Sequence, residues 1–318
     1  YDIKNSHNLT KIFYDFRDSS PLFDQLYQYL IEDTKQFYQG FYKSKFEDNS
    51  FLNYLGLSFA QFSRAIDIIN NIFYSDLSQP KSPEKLNIFR TIFEQLIANH
   101  SDQFINGDEP LISTALTSSN ITPFKCVVSA YQKFNLNPEI FCIACGNFIK
   151  RQMLSLAPNF KKQMKTNEIQ ENINMLITTC QTLSKPYKLL FSEVKNSSRI
   201  LDNCIIEAWN DPQFDIEQNF CVYIDFQIRS EFRNMSQKEK DEFPSTVATF
   251  YSYLTDKFKF SSIYDTFLAR RFIKMGLKVV EIELPTINAI KSQKAQGFAK
   301  NFKQYIKTVY DSQFLESS

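Results

Sequence analysis

Glycine and histidine are scarce in this chain. Six glycines in 318 residues is about 2%, against a usual level of roughly 7%. A nucleotide-binding α/β fold needs several glycines where backbone approaches phosphate. Neither G-x-G-x-x-G nor G-x-x-x-x-G-K-[ST] occurs, which excludes the common nucleotide-cradling loops. The two histidines, His7 and His100, stand apart from any cysteine or carboxylate cluster. A Ser-His-Asp or Cys-His device therefore has no support in the pattern. Long apolar runs are missing too. The best stretch, Ile140–Ile149, is interrupted by Gly146 and Asn147 and falls far short of the roughly 20 residues a bilayer span requires. The first residues lack the basic-then-apolar pattern of a secretory signal. Net charge is close to nil, with 36 basic and 35 acidic side chains.

Cysteine is present but gives no site. Cys142 and Cys145 form a lone C-x-x-C; a structural zinc needs two further ligands, and no second pair exists. Both fall within an apparent helix, Phe141–Met153, away from the strand-to-helix start that a redox motif uses. They read as packing residues in a reducing compartment, cytoplasmic and/or nuclear. No catalytic residue, metal or cofactor is expected.

What the chain does have is aromatic side chains, 32 Phe, 16 Tyr and one Trp, and a helical period. An AT-rich genome also encodes such usage, so individual Phe residues are not read as selected. Phe23, Leu26, Tyr27, Leu30 and Ile31 fall on one stripe. Ser20 and Pro21 before them make a capped helix start. Val247, Phe250, Tyr251 and Leu254 repeat the spacing, as do Phe260, Ile263, Tyr264, Phe267 and Leu268. Ser236 and Glu239 have capping-box spacing. Strand-like patterns are scarce, and the best candidate, Val279–Leu284, is short and ended by Pro285. Breaks are expected at Ser78–Pro83, Asn106–Pro110, Asn135–Pro138, Ala157–Lys165 and after Gly276. The fold class is all-α, a helical stalk followed by a helical bundle, with at most a short strand near 279–284. The domain boundary falls near residue 165, giving regions 1–165 and 166–318.

One charge feature departs from the neutral average. From 270 to 310 there are nine basic residues, among them Arg270, Arg271, Lys300, Lys303 and Lys307, and two acids, Glu281 and Glu283. Either this surface steers in an acidic partner, or it is a solvated face balanced elsewhere in the fold. Nucleic acid is not expected as the partner, because no recognition motif accompanies the patch. Arg270 and Arg271 serve either as helix-terminal charge with a local ion pair or in an interdomain contact.

The last third resembles the cullin family. Tyr223–Ile224–Asp225, with Ile228 and Arg229, is similar to its F-I-D-x-x-L-[KR] helix. Met235–Glu239 resembles G-M-S-E-E-E, and Val247–Lys257 resembles V-M-x-L-F-R-Y-L-x-x-K. Ile263–Tyr264 and Leu268–Arg271 resemble Y-Y-x-x-x-L-A-x-R-L, and Phe298–Phe302 resembles F-T-x-K-L. These motifs keep their order, and the similarity covers residues 166–315. Upstream it is thinner: Phe23–Tyr27 is similar to the F-E-E-L-Y that opens the family's adaptor-contacting helix, and Ile72–Tyr74 to the end of the next long helix. Compared with the family pattern, the N-terminal half is shortened by at least one five-helix repeat. The RING-capturing strand and the winged-helix end are absent from the sequence.

The resemblance implies a non-catalytic scaffold of a multisubunit E3 ubiquitin ligase, acting in ubiquitin-dependent protein catabolism. Its partners would be a substrate adaptor, a RING-box protein and a ubiquitin-conjugating enzyme, with no nucleic acid and no membrane. Phe23, Tyr27, Tyr29 and Leu30 are the candidate adaptor contacts, although Phe23, Tyr27 and Leu30 fit a core face equally well. Arg270, Arg271, Lys300, Lys303 and Lys307 are the candidate surface for an acidic partner. A catalytically silent, cullin-like docking subunit of a larger assembly is the alternative.

Overall fold

A computed structural model describes residues 21–46, 51–72, 83–106, 111–117, 121–232, 234–293, 295 and 297–316. Among them every regular element is helical: α1 (Pro21–Phe46), α2 (Phe51–Ile72), α3 (Pro83–Leu96), α4 (Ser101–Asn106), α5 (Leu111–Thr117), α6 (Thr122–Lys133) and α7 (Glu139–Leu154). They are followed by α8 (Thr166–Leu190), α9 (Ser197–Trp209), α10 (Ile216–Phe226), α11 (Gln237–Ser252), α12 (Lys257–Met275), α13 (Val280–Ser292) and α14 (Phe302–Glu316). No described helix is long and apolar enough to cross a membrane.

The chain forms two compact units, residues 1–144 with 189–195, and residues 145–188 with 196–318. In the first, α1 lies along α3. Among its described side chains, Ile31 and Tyr38, two turns apart, are the buried ones. Gln39 donates to Gln95 (3.0 Å) and Asn87 donates to the Tyr27 hydroxyl (2.9 Å), fixing the register between the two helices. The Tyr54 hydroxyl donates to the carbonyl of Leu96 at 2.6 Å. Rings dominate this core: Phe93 meets Tyr131 edge-on with centroids 5.5 Å apart, and Tyr131 meets Phe141 at 4.8 Å.

In the second unit, Trp209 sits between Phe220 (5.4 Å) and Phe250 (4.7 Å). Phe298 packs on Tyr251, Phe260 and Tyr264. Most positions of the stripes read from the sequence are buried, Val247, Phe250, Tyr251 and Leu254, then Phe260, Tyr264 and Leu268, while Ile263 is half-buried. Phe267 is half-buried, with the Arg270 guanidinium 5.7 Å above its ring.

The end signals behave as their chemistry dictates. Ser236 Oγ accepts from the Glu239 amide, and Glu239 accepts from the Ser236 amide at 2.8 Å, which closes a capping box on α11. α1 begins at Pro21; Ser20 lies outside the described residues, as does most of the break at 78–83. In a glycine-poor chain, left-handed positions fall largely to other residues: Asn135, Asn196, Asp215 and Ala299 all have positive φ. Asn and Asp tolerate this region better than most. Asn135 ends α6, where Leu136 N donates to the Tyr131 carbonyl at 2.8 Å, the longer bond of a Schellman closure. Gly276 (φ 61°) ends α12.

The strand-like reading of Val279–Leu284 is corrected. Gly276–Val279 is a turn of 3-10 helix and Val280 starts α13. The buried positions Val279, Glu283, Thr286, Ile287 and Ile290 follow the helical period. The stripe was hidden because two of its members are polar. Pro285 is carried inside the helix on its solvent side, since both Pro285 and Glu281, whose carbonyl loses its bond, are exposed.

Candidate interaction surfaces and a buried charge cluster

The adaptor candidates on α1 divide by side. Tyr27 and Leu30 are half-buried, and Tyr27 accepts the bond from Asn87, so both belong to the packing side. Tyr29 projects outward with 70% of its surface exposed, and Phe37, two turns further along, is 65% exposed. Phe37 carried no motif and escaped the sequence reading. Its spacing of eight from Tyr29 was the available signal, since residues i and i+8 share a helix face. The side chain of Phe23 lies outside the described residues.

The basic candidates divide in the same way. Arg270, Lys300, Lys303 and Lys307 are exposed. Arg271 does not belong with them, and that assignment is corrected: its side chain has 0% exposure. The reason is register. Arg271 follows Phe260, Tyr264 and Leu268 on the buried stripe of α12 and is succeeded there by Phe272.

Around Arg271 a charge cluster joins α10, α12 and α13. Its Nη1 donates to Asp225 at 2.9 Å and its Nε to Glu283. Tyr264 donates to the other Glu283 oxygen at 2.5 Å. Asp225 also accepts from Arg229 Nε (2.8 Å) and Nη2 (2.6 Å). Arg229 sits in the π-helical segment Gln227–Glu231 that continues α10. Two guanidiniums face two carboxylates, so the cluster is neutral as a whole. Burial acts to lower the Arg271 pKa, and the Glu283 charge, Tyr264 and Asp225 more than offset it, leaving the guanidinium above the usual arginine value. Burial, reinforced by the Glu283 charge, pushes the Tyr264 hydroxyl well above its ordinary value. Among the described residues Arg271 Nη2 is buried without a hydrogen-bond partner and the guanidinium carbon lies 5.2 Å from the centroid of the Tyr264 ring. The cluster links three helices through charge-assisted bonds, with Asp225, Arg271 and Glu283 buried and Arg229 partly exposed.

Several cysteines and one histidine are placed for packing. Cys142 and Cys145 are both buried on α7. Burial pushes the Cys180 thiol up to about 11 and also raises the Cys221 thiol well above its ordinary value. His100 stacks on Tyr42 with centroids 3.4 Å apart, its pKa lowered by burial; His7 lies outside the described residues. Among the described residues no group of three or more His, Cys, Asp or Glu is placed to hold a metal ion.

Compared with known families, the sequence matches the model of the cullin alpha solenoid domain over residues 2–314. The match therefore runs through the N-terminal half, where the motifs are thinnest, as well as through the helices of the charge cluster. No curated protein matches the chain.

Proposed function

The chain belongs to the cullin family, and from that premise we propose that it is a non-catalytic scaffold of a multisubunit E3 ubiquitin ligase, serving ubiquitin-dependent protein catabolism. The observation that carries this reading is the family match over residues 2–314 on a chain whose described elements are all helices. On this reading one helical chain carries both partners. Catalysis then comes from proximity, because tethering the two on one chain raises the effective concentration of the acceptor lysine around the charged ubiquitin carrier.

Under this reading residues 1–165 form the stalk that meets a substrate adaptor, and residues 166–318 open the region that serves a RING-box protein and a ubiquitin-conjugating enzyme. The outward face of α1, with Tyr29 and Phe37, supplies aromatic anchors of the kind that dominate interface energetics. Arg270, Lys300, Lys303 and Lys307 supply a positive surface suited to an acidic segment of the conjugating enzyme. The expected compartment is cytoplasmic and/or nuclear. The experiment is affinity isolation of the intact chain from its own cells. Recovery of an adaptor, a RING-finger protein and ubiquitin-ligase activity in the eluate is the expected result. A stable assembly with no ligase activity and no RING-finger protein would favour the silent docking subunit instead.

A further inference from the structure

We propose that the cleft between the Phe160–Lys165 loop and the start of α10 docks a short acidic segment of a partner protein. The cleft encloses about 720 Å³, room for a few residues of extended chain, and lies wholly within the second compact unit. Its apolar floor is built from Phe160, Met164 and Ile169, none of them fully buried. Phe160 rests edge-on against Phe214 with centroids 4.8 Å apart. Methionine beside an aromatic ring gives a floor that adapts to the side chain placed on it.

The walls are held in place before anything binds. Asn172 Nδ2 donates to the Asn159 carbonyl (3.0 Å) and contacts Met164 Sδ (3.5 Å), and the Lys165 amide donates to Glu168 (2.8 Å). On the opposite side Asn219 Nδ2 donates to the Phe214 carbonyl at 2.7 Å. A preformed site loses less ordering entropy on binding. Gln163, Gln213 and Gln218 line the cleft, and each amide offers both a donor and an acceptor, as a peptide backbone requires.

Charge selects the occupant. Lys161 and Lys162 are exposed at the cleft and make no ion pair among the described residues. The one acid that lines it, Asp215, is engaged by Lys259 at 3.1 Å, which also holds Glu217 at 3.0 Å. Lys259 serves both carboxylates and leaves one negative charge there, so Lys161 and Lys162 together still give these groups a net positive charge. An acidic segment with one apolar side chain for the floor matches both features. This assignment does not depend on the ligase reading, because the cleft is separate in sequence from the basic residues 270–307.

The test uses a fluorescein-labelled, glutamate-rich peptide with one central leucine, titrated with the full chain at low salt and followed by anisotropy. Binding is expected, weakened by added salt and roughly tenfold by Lys161→Glu with Lys162→Glu. The corresponding alanine pair should give a smaller loss in the same direction, and Lys185→Glu with Lys188→Glu, exposed lysines outside the cleft lining, should leave the affinity unchanged. A glutamine-for-glutamate probe should bind more weakly. No binding, equal affinity for the Lys161→Glu, Lys162→Glu variant, or an equal loss in the Lys185→Glu, Lys188→Glu control would overturn the proposal. So would self-association of the chain that Lys161→Glu with Lys162→Glu abolishes, since the occupant would then be a second copy.

Discussion

Arg271 and Glu283 are hydrogen-bonded across two helices with neither side chain exposed to solvent. The pair ties the end of α12 to the first turns of α13, and through Asp225 it reaches α10. Removing one partner leaves a buried charge unmatched, which typically costs about 3–5 kcal/mol. Glu283→Ala should lose that much stability in urea unfolding, while Arg271→Met combined with Glu283→Leu should lose much less than the sum of the two single changes. Additive losses would show that the two side chains are not coupled.

Tyr223 is buried, and burial alone pushes its hydroxyl up to about 12. Below pH 10 both folded and unfolded states hold the proton, so stability is unaffected. Between about pH 10 and 12 the unfolded chain releases it while the folded one keeps it, so stability falls as pH rises. The loss is about 1.4 kcal/mol per pH unit. Tyr223→Phe should flatten that part of the alkaline stability profile, measured by denaturant midpoints across the range. An unchanged slope would place the hydroxyl in contact with water.

On α1 the two tyrosines should separate. Tyr29→Ala should change stability by no more than about 0.5 kcal/mol and yet weaken adaptor capture. Tyr27→Phe, which removes the bond from Asn87, should cost about 0.5–1.5 kcal/mol and leave capture intact. Thermal melts and pull-downs on the same two proteins check this. The reverse pattern would assign Tyr29 to packing.

Asn135 occupies a left-handed position (φ 55°) at the end of α6. A β-branched residue is poorly suited there, so Asn135→Val should cost about 1–2 kcal/mol. Asn135→Gly should be neutral or slightly stabilising, and comparison of the two midpoints distinguishes backbone strain from a lost side-chain contact.

Exposed basic residues act mainly on encounter rates. Lys300→Glu, Lys303→Glu and Lys307→Glu together should slow association with an acidic-tailed ubiquitin-conjugating enzyme, most strongly at low salt, in stopped-flow measurements. Rates that do not change would remove the basic surface from the scaffold reading.

The helices were legible because their apolar stripes and caps are local. The stripes of α11 and α12 and the Ser236–Glu239 box needed only spacing and residue type. α13 was missed because Glu283 and Thr286 occupy buried positions, and a polar residue breaks an apolar pattern even when its partner waits on another helix. Arg271 was misplaced on the surface for the same reason. Its register with Phe260, Tyr264 and Leu268 pointed inward, but charge argued outward, and the positions of Glu283 and Asp225, 12 and 46 residues away, resolve the conflict. Phe37 and the cleft beside Lys161 lacked any motif; both depend on which side chains the packing leaves uncovered.

The scaffold reading is tested most directly by isolating the intact chain from its cells, in native form and as Tyr29→Ala with Phe37→Ala, and identifying what accompanies each. The account predicts that the native chain brings down a substrate adaptor, a RING-finger protein and ubiquitin-transfer activity, with the adaptor lost from the variant and the RING-finger protein retained. Recovery of the native chain with neither an adaptor nor a RING-finger protein would contradict it.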